Sequence, residues 1–146
     1  MMVKVDAVLE RLHALDEYIR LLRPYAERDI RSLTEDRITY GGVLHHLQLA
    51  AQAVMDVSAH LQVELNLDRV HDYRESILNL GKHGILPQEF AERISGLTGF
   101  RDILVHEYLT VDPLIVRGVL QDGLDDLEAF IAYITDFLKR EGHIEE

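Results

Sequence analysis

Apolar residues recur at three- and four-residue steps along most of the chain, which is the pattern of amphipathic α-helices. The stripe of a first helix consists of Val5, Val8, Leu9, Leu12, Leu15, Ile19 and Leu22. The stripe of a second helix consists of Val43, Leu47, Ala50, Val54, Val57, Leu61 and Leu65. Pro24 predicts that the first helix kinks or ends nearby. Residues Thr34 to Asp36 offer capping side chains for the start of the second helix.

The next segment predicts a short third helix with a signal at each end. Asp72 and Glu75 have the spacing of a capping box, which places this helix from Tyr73 to about Leu80. Gly81 and Gly84 follow, and we expect them to end the helix, because glycine is the residue most often found just past a helix C-terminus.

Two prolines mark the starts of the remaining helices. Pro87 fits the first position of a fourth helix, with Glu89 in its first turn. The apolar residues of this helix are Phe90, Ile94, Leu97, Leu104 and Val105. Asp112 and Pro113 supply the N-cap and the first residue of the last helix. The stripe of the last helix consists of Leu120, Leu124, Leu127, Ile131, Ile134 and Leu138.

The sequence contains no segment that alternates apolar and polar residues as a half-buried strand does, and no internal repeat or low-complexity linker. A length of 146 residues suits one domain with one core. We therefore predict an all-α fold, a single-domain bundle of four to five helices over residues 1–146.

Composition narrows the class of protein. Apolar residues make up 47% of the chain and charged residues 28%, which is typical of a globular protein. The absence of cysteine excludes disulfides, thiolate zinc sites and a cysteine nucleophile. No apolar run reaches the roughly 18 residues that span a bilayer, and the N-terminus lacks the apolar stretch of a signal peptide. We expect no membrane contact and a cytoplasmic location.

The formal net charge of −11 limits the ways in which the chain can bind nucleic acid. A broad nucleic-acid surface needs clustered basic residues, and only three lysines accompany twelve arginines here. Any RNA must therefore bind in a local cleft lined by arginine. The acidic balance also suits a basic protein partner.

The segment from Arg101 to Tyr108 carries the candidate chemistry. RNA cleavage without a metal or cofactor needs a base, an acid and a cation that stabilises charge on the phosphate. His106 can transfer the proton, because its ordinary titration lies near working pH. Arg101 stays charged and offers a planar set of donors to phosphate oxygens.

Helical geometry separates these two side chains, since positions five apart differ by roughly 140° around the axis. The arginine stem can wrap, the turn can distort, or a two-fold dimer can bring two copies of the motif to one cleft, and we favour the dimer. Asp102 and His106 are four apart and share a face, so Asp102 is expected to orient the imidazole. Tyr108 would align with Arg101 if the helix lasts that far.

Other polar clusters have simpler interpretations. Glu10 and His13 match one half of a di-iron site, but the second Glu-x-x-His pair that such sites need is missing. Asp56 and His60 are predicted to form a hydrogen-bonded pair at a helix interface. The acidic residues of the last helix are predicted to form a solvated face or a docking surface: Asp122, Asp125, Asp126 and Glu128.

The spacing alone is weak evidence, since twelve arginines and eight histidines give roughly one such pair by chance. The longer pattern Arg-Asp-x-Leu-Val-His-x-Tyr, after a helix that opens Leu86-Pro-Gln-Glu-Phe90, is more specific. Together with Asp112-Pro113 and the segment His46–Val54, it resembles the HepT-like branch of the HEPN superfamily over essentially the whole chain.

That resemblance implies a toxin of a toxin–antitoxin pair. It implies a homodimeric, metal-independent endoribonuclease, with tRNA among the candidate substrates, and a small MntA-type nucleotidyltransferase as antitoxin. Carried over by position, Arg101, Asp102 and His106 would be catalytic, and Tyr108 would be the site of silencing adenylylation. A second hypothesis, from a different class, is a non-catalytic helical dimer that binds a nucleotidyltransferase as an interaction or substrate-binding module.

Overall fold

The computed structural model describes residues 4–145, where helices are the only regular secondary structure. Its elements in chain order are α1 (Val5–Ala26), α2 (Ile30–Glu35), α3 (Arg37–Glu64), α4 (Tyr73–Lys82), α5 (Gln88–Ile94), α6 (Leu97–Glu107), α7 (Pro113–Gly118), a π-helical turn (Val119–Gly123) and α8 (Leu124–Arg140). The all-α prediction is confirmed, but four to five helices was too low a count.

The long helix α3 lies at the centre of the packing and contacts α1, α4, α6 and α8, while α1 also packs on α8. The largest side chains that these contacts remove from solvent include Leu15, Leu22, Leu47, Met55, Leu61, Leu80 and Phe130. Each such side chain contributes about 1.5–3 kcal/mol relative to an exposed position. The core therefore supports α3 and α6, the two helices that carry the candidate site.

The capping signals read from the sequence are confirmed at three helix starts. The Asp36 carboxylate accepts a hydrogen bond from the backbone N–H of Thr39 at 3.3 Å, and hydrogen bonds from the side chain and the backbone of Thr39 lower the pKa of Asp36. The Asp72 carboxylate accepts one from the backbone of Glu75 at 2.8 Å. Asp112 caps α7 through the backbone N–H of Leu114 at 2.9 Å. Short polar side chains thus fix where α3, α4 and α7 begin.

The predicted fourth helix is two helices, and its start was misplaced. Pro87 precedes α5 as the N-cap, because its ψ of 139° is extended rather than helical. A break at Ser95 and Gly96 separates α5 from α6. The Ser95 hydroxyl there donates to the carbonyl oxygen of Glu92 at 2.7 Å, and the Gly96 N–H bonds only three residues back, to Arg93. The break therefore ends α5 at Ile94, and α6 begins at Leu97.

Two smaller corrections concern helix ends. Gly81 lies inside α4, where a Cβ would be 2.6 Å from the Cβ of Ala91, so its function is close packing against α5. Gly84, with φ of +76°, makes the turn that follows α4. The six-residue helix α2, capped by Asp29, was missed because it is too short to show a periodic stripe. The first helix does end close to Pro24, which lies in its last turn.

A membrane crossing needs a helix that is both long and apolar, and no helix within residues 4–145 meets both conditions.

Candidate functional site

Helix α6 presents the arginine–histidine motif on the side of the molecule formed with α3. Phe100 and Leu104 are buried on the inner face of α6. Asp102 and His106 are exposed on the opposite, solvent-facing side of the helix. The helix ends at Glu107, and Tyr108 is its C-cap with φ of −57° and ψ of −28°. The backbone therefore remains helical up to Tyr108, which is the condition for Tyr108 to align with Arg101 on one face of the helix.

The guanidinium of Arg101 is held on two sides. Its Nε donates to the Oε1 atom of Gln52 on α3 at 2.9 Å. Its Nη1 donates to the Oδ1 atom of Asp102 at 2.8 Å, as an ion pair. The Arg101 side chain is 26% exposed, against 58% for Asp102, so the arginine lies along the helix interface with its charged end at the surface. The N–H groups of the guanidinium that these two contacts leave free can donate to an anion.

The contact made by Asp102 differs from the sequence expectation. The expected partner was the imidazole of His106, one turn away on the same face, but the carboxylate accepts from Arg101 instead. An adjacent arginine that is already anchored on α3 offers a charged donor within reach, and a charge-assisted hydrogen bond is stronger than a neutral one. Asp102 therefore orients the arginine in this arrangement.

His106 lies on the exposed surface of α6, and within residues 4–145 its imidazole has no hydrogen-bond or ion-pair partner. The structure does not join it to Arg101, which agrees with the angular separation expected for positions five apart. Arg101 is half-buried near the middle of α6, whereas His106 is exposed in the last turn of the helix. An imidazole in this position is accessible to a ligand or to a second protein chain.

A cavity of about 300 Å³ lies between α3 and α6 beside the motif. Its lining residues are Gly41, Leu44, His45, Gln48, Leu104, Val105 and Tyr108. The volume is at the lower end of the range for small-molecule sites. Tyr108, 53% exposed, stands at its edge, where its hydroxyl is accessible to solvent.

Exposed apolar side chains continue from the motif into the following helix. Those on α6, on α7 and between these two helices are Ile103, Val105, Tyr108, Leu109, Leu114 and Ile115. Leu109 is 78% exposed and Leu114 is 67% exposed, which is costly for isolated leucines in water. A group of large apolar residues at the surface is typical of a protein–protein contact.

Gln52 is the site residue that sequence reasoning missed. It lies on α3, 49 positions before Arg101, and its Nε2 donates to the Oδ1 atom of Asp56 at 2.8 Å. The available signal was the four-residue spacing of Gln52 and Asp56, which places both on one face of a helix. What the sequence could not supply was the packing of that face against α6.

The polar pair predicted from Asp56 and His60 is not present. Asp56 bonds to Gln52 and lies 3.9 Å from the Nε atom of Arg11, whereas the Nε2 atom of His60 lies 3.8 Å from Glu64. The Nε2 atom of His60 is buried without a hydrogen-bond partner among the residues that the structure describes, so Asp56 and His60 do not form a separate site.

The acidic residues of α8 form ion pairs across helices instead of a purely solvated face. Arg23 on α1 contacts Asp125 at 2.9 Å and Glu128 at 2.7 Å, and these carboxylates raise the pKa of Arg23. Arg93 on α5 contacts Asp126 at 3.2 Å. These exposed pairs connect α8 to its neighbours and leave less free charge for a docking surface.

The fold and site together define a class: an all-helical protein that exposes an arginine and a histidine on one helix beside an apolar surface. The family model described as "Ribonuclease HepT-like" matches residues 15–134. That match covers well over half of the chain. The protein therefore belongs to the HepT-like family.

Two relatives illustrate the range of similarity. A protein named tRNA nuclease HepT, from Aphanizomenon flos-aquae, is 33% identical over 92 residues, which cover 63% of this chain and 63% of that protein. The match thus spans less than two thirds of the tRNA nuclease. A protein named mRNA nuclease HepT, from Shewanella oneidensis, is 25% identical over 130 residues, or 88% of this chain and 96% of that protein.

Solved structures share the fold. A chain of a toxin–antitoxin crystal structure with AMP-PNP has a TM-score of 0.81 and 23% identity, covering 90% of this chain and 98% of that chain. The tri-AMPylated Shewanella oneidensis HEPN toxin in complex with MNT antitoxin has a TM-score of 0.80 and 24% identity, with 90% and 98% covered. YutE from Bacillus subtilis, a cytosolic protein of unknown function, reaches 0.85 at 15% identity, with 99% and 97% covered.

Proposed function

We propose that this protein is an endoribonuclease, the toxin of a toxin–antitoxin pair. The observation that carries the proposal is the guanidinium of Arg101, fixed by Gln52 and Asp102, on the same exposed helix as an accessible His106. Nuclease names among the relatives and the family description support the same reaction class.

The reaction is an internal transesterification. The 2′-oxygen of a ribose attacks the adjacent phosphorus, the bond from phosphorus to the 5′-oxygen breaks, and a 2′,3′-cyclic phosphate remains on one product. His106 takes the proton from the 2′-hydroxyl or returns one to the leaving 5′-oxygen. Arg101 stabilises the charge on the non-bridging oxygens as it grows. A ribose is indispensable to this mechanism.

We assign to the exposed apolar residues after the motif a two-fold contact with a second copy of the chain. A dimer contact would cover Leu109 and Val105, which are 78% and 41% exposed in the single chain. One cleft would then contain two arginines and two histidines. This supplies the proximity of base and cation that a single helix does not give, because of the five-residue spacing.

Control by a small MntA-type nucleotidyltransferase completes the proposal. The related structures include a HEPN toxin that is tri-AMPylated and in complex with MNT antitoxin. On this chain the proposed target is the hydroxyl of Tyr108, which stands exposed beside the cavity. An adenylyl group there would add negative charge and bulk about two helical turns from Arg101, and so it would hinder the approach of the RNA backbone.

Two experiments test this function. An RNA oligonucleotide should be cut with a 2′,3′-cyclic phosphate end, and the same oligonucleotide with 2′-deoxyribose at the cut position should be resistant there. Equal cutting of both would reject the transesterification. Incubation with the nucleotidyltransferase and ATP should add adenylyl mass to the peptide that contains Tyr108, and Tyr108→Phe should remain active but resist silencing. Modification only on other residues would reject the Tyr108 assignment.

The second candidate function is a non-catalytic module that binds the nucleotidyltransferase. The net charge of −11 supports it, because an acidic surface is unfavourable for binding RNA. A folded dimer that binds this partner tightly but leaves every RNA intact would favour that function over cleavage.

A further inference from the structure

A chain of polar contacts connects three helices behind the candidate site. It runs from Arg11 on α1 through Asp56 and Gln52 on α3 to Arg101 on α6. Basic, acidic, neutral and basic groups follow one another, so that each contact joins complementary partners. The last contact in this series joins Arg101 to Asp102 at the surface.

We propose that Gln52 is a positioning residue of the RNA-cleaving site, which fixes the guanidinium of Arg101, and that Asp56 fixes Gln52 in turn. The proposal rests on the function proposed above and assigns a role to two residues of α3 outside the motif. Neither of them needs to touch RNA for this role.

The contact with Gln52 determines the plane of the guanidinium. A guanidinium is rigid and planar, so acceptors at two of its nitrogens leave it little freedom to rotate. Gln52 binds the Nε side at 2.9 Å and Asp102 binds Nη1 at 2.8 Å. Of five N–H donors, these contacts use two, and three are left for phosphate oxygens.

The orientation of the Gln52 amide is itself determined. An ionised carboxylate has only acceptors, so the NH₂ group of Gln52 must face Asp56, at 2.8 Å. Its carbonyl oxygen is thereby turned toward Arg101. Both α3 residues are half-buried, and their spacing of four places them on one helix face. Asp56 thus prevents a flip of the amide that would direct a donor at the arginine.

A neutral acceptor at position 52 also has an electrostatic advantage. It occupies the Nε–H of Arg101 without adding a second negative charge to the one that Asp102 already places beside Nη1. A second carboxylate at position 52 would also hold the arginine, but it would compete further with the substrate for the guanidinium. Glutamine supplies orientation alone, which suits a residue that acts through Arg101.

The test combines two measurements: the rate at which one NMR-detected proton exchanges with solvent, and the RNA cleavage rates of single and double variants. The Nε–H signal of Arg101, assigned by its loss in Arg101→Ala, should exchange slowly with solvent in the full-length protein and quickly in Gln52→Ala. Gln52→Ala should lower the cleavage rate about tenfold to a hundredfold, the cost of a misplaced catalytic group. In the Arg101→Ala background, Gln52→Ala should cause no further loss. Asp56→Asn keeps an acceptor for the amide and should retain more activity than Asp56→Ala.

The control is Gln88→Ala, which removes an exposed glutamine at the start of α5 and should match the wild type in both measurements. Full activity of Gln52→Ala would overturn the proposal. So would an equal loss in both backgrounds, because a residue that only supports the fold acts independently of Arg101. A wild type that cleaves no RNA would overturn the proposed function and with it this role, while the exchange rate would still report separately whether the contact exists.

Discussion

Asp102 lies against Arg101, with 2.8 Å between Oδ1 and Nη1, and not against His106 one turn further along the helix. The carboxylate therefore acts on the cation of the site. Removing it should misalign Arg101 and lower the rate of cleavage without changing the shape of the pH–rate profile.

Asp102→Ala should accordingly lower RNA cleavage about tenfold to a hundredfold at every pH. Asp102→Asn should lose less, because its amide oxygen can still accept from Nη1. The rates of all three proteins between pH 5 and pH 9 would be measured. A displaced pH profile in both variants would contradict the assignment, since it would mean that Asp102 acts on the imidazole.

A charged residue in the apolar surface should separate the proposed dimer. Leu109→Glu places a carboxylate in that surface, where an unpaired buried charge is strongly unfavourable. Light scattering after size exclusion should give the mass of a dimer for the wild type and of a monomer for the variant, with cleavage lost. Val63→Glu is the matched control. Val63 is 76% exposed and lies near the C-terminal end of α3, more than two helical turns after Gln52, the residue that contacts Arg101. A monomeric wild type, or an active monomeric variant, would contradict the dimer cleft.

The contact of Gly81 with Ala91 should make alanine unfavourable at position 81. The added Cβ would meet the Cβ of Ala91 at 2.6 Å and push α4 away from α5, at a cost of about 1–3 kcal/mol. Gly118→Ala is the control: its φ of −59° and ψ of −42° are helical and nothing lies within 4 Å, so it should stabilise by about 0.5–1 kcal/mol. Urea unfolding measures both, and an equal effect of the two substitutions would contradict the packing argument.

Asp68 should make part of the stability depend on pH. Its ion pair with Lys82, at 2.6 Å, and the nearby His83 lower its pKa below the ordinary 3.8. A lowered pKa in the folded state gives stabilisation that is complete above the unfolded pKa and is lost as pH falls through the folded value.

The free energy of unfolding of Asp68→Asn should therefore fall below that of the wild type at pH 7, and the two should converge as the pH drops below about 3. Urea titrations of both proteins at several pH values provide the measurement. A difference that grows on acidification would have the wrong sign for this ion pair.

The sequence predicted those parts of the fold that depend on local signals. Asp36 and Asp72 cap the helices that they were expected to cap, because capping involves residues only two or three positions apart. Asp112 is an N-cap as predicted, but the helix it caps is the short α7, which a π-helical turn separates from the last helix α8. The break at Ser95 was missed because apolar spacing continues through it. The short helix α2 gave no stripe that could be counted.

In the candidate site, too, the sequence predicted the local features but not the contacts between helices. The identity of Arg101 and His106 and their angular separation follow from the motif and helical geometry alone. The partner of Asp102 and the contact of Gln52 with Arg101 depend on how α6 lies across α3, a relation between residues 49 positions apart. Local spacing could place Gln52 on a face of α3 but could not say which helix covers that face.

An assay of RNA cleavage in the absence of metal ions tests whether Arg101 and His106 form a ribonuclease site. Purified wild type, His106→Ala and the control His13→Ala, which removes an exposed histidine of α1, would be incubated with total RNA and tRNA in EDTA. We expect equal cleavage by the wild type and the control, and a loss of about 10²–10⁴-fold in His106→Ala, the range for removal of a proton-transfer group. Undiminished cleavage by His106→Ala, or none by a folded and unmodified wild type, would contradict it.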